Sequence, residues 1–303
     1  MIQQTETTQQ VVPPPFPETL TGFKKILVAT DFSESSNQAL RFAAVLARKY
    51  GAEILLTHIF TCVDEFGRVD KASEAYRAER LAAGHAVAEV LASGVLDGIW
   101  HEAFFAEGFF WQTLDGLIRQ KRISLVALGT SGARDTQADC MGSHAELAFR
   151  NADCPVLTAG PAAKANPKPI KRVLFATDFG QGARRAVKWA YTLAQDFRAD
   201  LKLLYVSGGA DSSFQPQSHI VDETTRVRLL ETIPADISAV CDIECVVRRG
   251  DPAEEIVSFA AQSAADLIVM GTRSGRPAAS HLPLTTAYMV AVNAPCPLLT
   301  IRS

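Results

Sequence analysis

Three glycines and a serine form the most specific chemical pattern in the chain: Gly129, Gly132, then nine residues, then Gly142-Ser143-His144. Gly129 follows the apolar run Ile123-Ser-Leu-Val-Ala-Leu128, which reads as a buried strand. A glycine at that point lets the backbone turn sharply and come close to a ligand. Gly142-Ser143 reads as the opening of a helix, where unpaired amides and the positive end of the helix dipole face outward. That arrangement suits phosphate oxygens, with the Ser143 hydroxyl as a further donor. The plainer alternative is a glycine loop that only joins strand to helix.

A second group lies at Thr30-Asp31, where another apolar strand ends. The stretch Lys24–Phe32 recurs as Lys171–Phe179 with six of nine positions identical, so Asp31 has a twin in Asp178. An acidic residue before a helix can serve the free amides of the helix start. Its recurrence, and its place at the same strand ends as the glycine loop, favour contact with a ligand. Other chemistries lack their signatures. There is no P-loop lysine pattern and no dinucleotide glycine fingerprint after the first strand. No serine nucleophile elbow or paired-histidine zinc helix is present either. The six cysteines show no close C-x-x-C pair. Cys154 and Cys296, each followed by proline and an apolar run, read as small buried hydrophobes.

Positioning these groups requires alternating strands and helices. Residues 24–30, 53–59, 99–106, 123–128 and 155–159 read as strands, with helices at 34–50, about 70–93, 110–121 and from 143. Leu40, Ala43, Ala44 and Ala47 form a core-facing helical stripe, and Val187, Ala190, Tyr191 and Ala194 repeat it. The second half supplies strands at 172–177, 201–206, 243–248, 266–270 and 298–302. Such alternation calls for parallel pairing with right-handed crossovers, an α/β doubly wound sheet in each half. Sheets of this kind bind ligands beyond the carboxyl ends of their strands, where strand order reverses. The division expected is a flexible tail at 1–22, a first domain at 23–160, a proline-containing linker at 161–169 and a second domain at 170–303.

Composition narrows the partners. With 303 residues, 48% hydrophobic, 21% charged and a net charge of −3, the chain carries no basic footprint for nucleic acid. No apolar run reaches a membrane span, and the polar start is unlike a signal sequence, so the cytoplasm is the expected location.

Taken with the first strand and its Asp31 turn, Ala152-Asp-Cys-Pro-Val-Leu157, Gly250-Asp-Pro-Ala-Glu-Glu-Ile256 and Ala265-Asp-Leu-Ile-Val-Met-Gly271, the glycine pattern resembles the universal stress protein family in tandem form. The resemblance covers nearly all of both halves. It implies two tandem doubly wound five-stranded parallel-sheet domains of the Rossmann-like, adenine nucleotide alpha hydrolase-like type. It further implies ATP or AMP in the first half, with or without Mg²⁺. Asp31 would lie near adenine and ribose, and the backbone at Ile59 would meet the adenine edge. Gly129, Gly132, Gly142 and Ser143 would hold the phosphates, with Thr30 and Thr130 beside them. His144 stands where the family often has an aliphatic residue: it either contacts phosphate or simply faces water.

The second half departs from the pattern. Its aligned positions are Gly271, Ser274, Leu284 and Thr285, with Pro277 and Pro283 stiffening the loop and removing donors. Phosphate binding is therefore expected in the first half, with the second half as its packing partner in an intramolecular pseudo-dimer. Phe109-Phe110-Trp111 are expected to pack against that partner half; a hydrophobic ligand pocket or partner surface is the alternative. The function these readings favour is a nucleotide-binding stress-response module with an unidentified protein partner. A weak ATP hydrolase, or a nucleotide-free interaction protein with a hydrophobic or lipid ligand, are the competing readings. Association of two chains into a homodimer stays open.

Overall fold

Short runs of β-branched and aliphatic residues alternate with helical stripes along the whole chain, and that alternation becomes the architecture. The computed structural model describes residues 22–61, 63–64, 66–131, 141–163, 169–208, 218–235, 237, 241–272 and 285–302. Residues 1–21 of the tail expected at 1–22, Gly132, the linker centre at 164–168, and Ser274 through Leu284 lie outside the described residues. The first half runs β1 (Lys25–Ala29), α1 (Glu34–Tyr50), β2 (Glu53–Phe60), α2 (Glu74–Ala92), β3 (His101–Glu107), α3 (Phe110–Lys121), β4 (Leu125–Gly129), α4 (Ser143–Asn151) and β5 (Val156–Ala159). The second half repeats the order as β6 (Arg172–Thr177), α5 (Gln181–Phe197), β7 (Asp200–Ser207), α6 (Ser218–Leu230), β8 (Ile243–Arg249), α7 (Pro252–Gln262), β9 (Leu267–Thr272), α8 (Thr286–Asn293) and β10 (Leu298–Arg302).

Each half forms the five-stranded parallel block expected from its sequence. The two blocks share one sheet, in the order β3-β2-β1-β4-β5-β10-β9-β6-β7-β8. The join is antiparallel, with Leu157 opposite Leu299 and Thr158 opposite Leu298. The mirrored strand order with one antiparallel seam is what a pseudo-two-fold axis at β5–β10 produces.

Alternation along the strands sorts two cores. Ile26 and Val28 face one side with Leu40, Leu46 and the α5 stripe, whereas Leu27 and Ala29 face the other with Leu114, Ala148 and Val290. Both faces are covered by helices, as parallel sheets require. Aromatic rings add cross-half contacts: Phe23 stacks on Trp189 at 4.7 Å, Tyr50 meets Phe197 edge-on at 6.3 Å, and the Tyr50 hydroxyl donates to Asp196 at 2.7 Å.

Helix boundaries follow local chemistry. The Ser33 side chain accepts from the Ser36 amide at the start of α1, and Gly51, at φ 63°, ends that helix in the left-handed conformation. The helix expected over about 70–93 begins only at Glu74, because the Ser73 hydroxyl accepts the Tyr76 amide and fixes its start there. β1 pairs with β2 on one side and β4 on the other, so strand order reverses between β1 and β4. A crevice at their carboxyl ends is the expected ligand position.

Candidate functional site

Beyond β1 the chain makes a tight turn whose side chains serve its own backbone. The Thr30 hydroxyl accepts the Phe32 amide at 2.9 Å, and Asp31 Oδ1 accepts the Ser33 amide at 3.0 Å. Phe32 is thereby held at φ 62°, a conformation that few side-chain-bearing residues adopt. The second half repeats this turn: Thr177 accepts Phe179, Asp178 accepts Gly180, and Phe179 lies at φ 57°. The recurring Thr-Asp-Phe is thus explained by turn construction in both halves, and Asp31 borders the crevice in addition.

Beyond β4, the glycine pattern separates into two duties. A Cβ at Gly129 would lie 2.6 Å from the Ser36 amide nitrogen and 2.7 Å from the Ser35 carbonyl carbon. Its missing side chain makes room for the first turn of α1. Gly271 does the same for α5, where a Cβ would lie 2.2 Å from the Gly182 carbonyl carbon. Gly142 has another duty: its amide donates to the Thr130 carbonyl at 2.7 Å, which closes the loop back on β4. It occupies the N-cap of α4, a helix start with no side-chain cap.

Between these turns lies a cavity of about 560 Å³. Thr30, Asp31, Gly129 and Thr130 border it on the strand side, with Ile59 from β2. Gly142, Ser143 and His144 border it at the start of α4. Eight of the nine residues picked from sequence therefore surround one space, and Gly132 lies outside the described residues.

Three polar atoms around this space are buried with no hydrogen-bond partner among the described residues: Thr130 Oγ1, Ser131 Oγ and His58 Nε2. Buried polar groups are normally satisfied, so such a cluster beside a cavity is where water or a polar ligand can supply the missing partners. His58 is held by a contact of 2.8 Å between Nδ1 and the Thr30 carbonyl, and its Nε2 lies 3.7 Å from the Glu79 carboxylate. Ala82, Ala83 and Ala86 of α2 add a small-residue wall beside Glu79.

Sequence reasoning passed over His58, Glu79 and Ser131. A polar residue inside the apolar run of β2 was the available signal for His58; nothing local marks Glu79. The aromatic segment also differs from expectation. Phe110 lines the cavity and stacks on His144 of its own half, with ring centroids 4.3 Å apart and planes 7° apart. It can do so because α3 and α4 pack on the same face of the sheet. Phe109 is exposed by 43%. His144 is exposed as well, but its ring has a definite place against Phe110.

At the matching place in the second half, Tyr205 stands where His58 stands in the first and packs on Phe179 at 5.1 Å. The Arg228 guanidinium lies 4.0 Å over the same Phe179 ring. Among the described residues no group of three or more histidine, cysteine, aspartate or glutamate side chains is placed to hold a metal. Burial pushes the Cys154 thiol up to about 12 and raises Cys296 further, the behaviour of core hydrophobes rather than nucleophiles.

A doubly wound sheet with a polar-lined crevice at its switch point defines the class: an α/β protein built as a duplicated unit. Comparison with known proteins narrows this. The universal stress protein family model matches residues 22–159 and again 169–302, so the chain belongs to that family as a tandem member. A universal stress protein of Methanocaldococcus jannaschii is 30% identical over 140 residues, covering 44% of this chain and 82% of its own. One from Thermus aquaticus is 29% identical over 143 residues, covering 44% and 99%. Among solved structures, a universal stress protein from Archaeoglobus fulgidus superimposes with a TM-score of 0.65 at 20% identity, covering 92% of this chain and 98% of its own. No helix among the described residues is long and apolar enough to cross a membrane.

Proposed function

We propose that the first half (residues 23–160) binds an adenine nucleotide, ATP or AMP, in the cavity between β1, β4 and α4. On this reading the chain acts in the cytoplasm as a stress-response regulatory or interaction module, with the second half (170–303) as its packing partner. The observation that carries the reading is the convergence on one space of the Thr130 and Ser131 hydroxyls, which have no partner among the described residues, with the start of α4, which has no side-chain cap. Hydroxyl and amide donors gathered at a helix start suit phosphate oxygens. The apolar side chains of Ile59 and Ala83, with the His58 ring, leave the other end suited to a flat heterocycle. A volume of about 560 Å³ is in the range of small-ligand sites. Asp31, which borders the cavity, would meet ribose and could help to hold Mg²⁺ where that ion accompanies the nucleotide.

Purified protein, denatured and cleared, should release about one adenine nucleotide per chain, and adding Mg-ATP should raise the thermal midpoint. Gly142→Val should abolish both effects by placing a side chain at the α4 start, whereas Leu284→Val should leave them unchanged. Absence of nucleotide together with no thermal shift rejects the reading. Multiple-turnover release of ADP would replace a binding module with a hydrolase.

A further inference from the structure

The segment Met141-Gly142 that leads into α4 is fastened from outside its own half. The Met141 amide donates to the Tyr288 hydroxyl at 2.8 Å, and both residues are buried, at 5% and 4% exposure. Tyr288 belongs to α8 of the second half. The next amide, that of Gly142, is bonded to Thr130 of the first half. Two successive amides just before α4 are thus pinned, one by each half.

We infer that Tyr288 is a positioning residue for the first half's site, setting its ligand affinity by holding the start of α4. This rests on the nucleotide reading above. Gly142 offers no capping side chain, so these backbone bonds are what direct the chain into α4. Ser143 and His144, which border the cavity, follow directly. A buried N–H deprived of its acceptor is costly, so without the hydroxyl the loop must shift to find another partner. Tyr288 is itself well held: the Thr285 hydroxyl accepts the Tyr288 amide at the start of α8, and the ring belongs to the same apolar core as Met141.

The fastening runs one way. Met141 aligns with Pro283 in the second half, and proline has no N–H to donate. Tyr288 aligns with Glu146, whose carboxylate instead accepts from Arg150 within α4 at 2.7 Å. The asymmetry matches that of the glycines: the half with Leu284 lends a hydroxyl to the half with Gly142. Any ligand that orders the α4 start must, by reciprocity, also tighten the α8 contact.

The test is calorimetric titration of the full chain with AMP, comparing wild type with Tyr288→Phe, which removes only the hydroxyl. AMP should bind Tyr288→Phe about 3–10-fold more weakly, the range expected for one net hydrogen bond. Amide exchange at residues 141–143 should quicken while β1 and β4 stay protected. In a Met141→Pro background, which removes the donor, Tyr288→Phe should change affinity by less than about twofold. Should Tyr288→Phe not fold, exchange in the wild type decides: AMP must raise protection at the Met141 amide, and unchanged protection overturns the inference. Wild-type affinity in Tyr288→Phe, or an equal loss with and without the Met141 donor, also overturns it while leaving the nucleotide site standing. If the wild type binds no AMP, the site reading falls and takes this inference with it.

Discussion

Gly129 and Gly271 separate two reasons for a glycine that look identical in a motif. Both sit at the end of a central strand, and in both a Cβ would strike the backbone of the first turn of a neighbouring helix, α1 at 2.6 Å and α5 at 2.2 Å. The second half keeps this glycine although it has leucine in place of Gly142. Close packing of helix on sheet is therefore sufficient cause for it. Gly129→Ala and Gly271→Ala should each destabilise the protein by about 1–3 kcal/mol, the usual cost of forcing extra volume into a packed site. Urea midpoints measure this; a Gly129→Ala protein as stable as wild type, with only ligand affinity reduced, would assign the residue to the ligand alone. Asp31 and Asp178 teach the same lesson, since each bonds the amide two residues on whatever else it does.

The helix that differs most in length from its counterpart in the other half, α2, forms one wall of the cavity and has a thin attachment. Its buried residues are Tyr76, Ala83 and Val87. The Tyr76 hydroxyl donates to Glu107 at the end of β3 at 2.6 Å, and Lys71 pairs with the same carboxylate at 2.9 Å. These contacts, the tyrosine bond first and the lysine second, hold the Glu107 carboxyl below the usual carboxylate range. Protonation is thus opposed in the folded state. The stabilisation is complete above the ordinary carboxylate pKa and declines as pH falls through the lowered value. Between about pH 6 and about pH 3, amide protection in α2, corrected for the intrinsic pH dependence of exchange, should fall before that in β1 and β4. Glu107→Gln should remove this acid dependence; an unaltered profile in that variant would place the titrating group elsewhere.

One sheet runs through both halves, and the cores on its two faces are continuous across the seam. The chain should consequently unfold as one unit. Phe23 shows this best: it precedes the first strand, is 1% exposed, and stacks on Trp189 of the other half. Phe23→Ala should cost about 3–5 kcal/mol, as removal of a buried aromatic ring does. Chemical denaturation followed by tryptophan fluorescence and far-ultraviolet dichroism should show one coincident transition moved to lower denaturant. Two separate transitions, with one unmoved, would show the halves to be independent.

The elements and their sense were open to reading because strand and helix periodicities are local. α1, α3 and β6 fall at the expected residues, and the duplication made the second half a check on the first. That Thr30, Asp31, Ile59, Gly129, Thr130, Gly142, Ser143 and His144 would border one cavity was legible because a doubly wound sheet brings its strand ends together. His58 and Glu79 were less so: they are far apart in sequence, and their proximity depends on how α2 lies across β2. The antiparallel seam at β5–β10 was not written in either strand, since a buried edge reads the same whichever direction its neighbour runs. Nor could the sequence show that Tyr288 ends beside Met141. Local pattern determined the two units and the place of the site; only the packing of one unit against the other decided which distant side chains complete it.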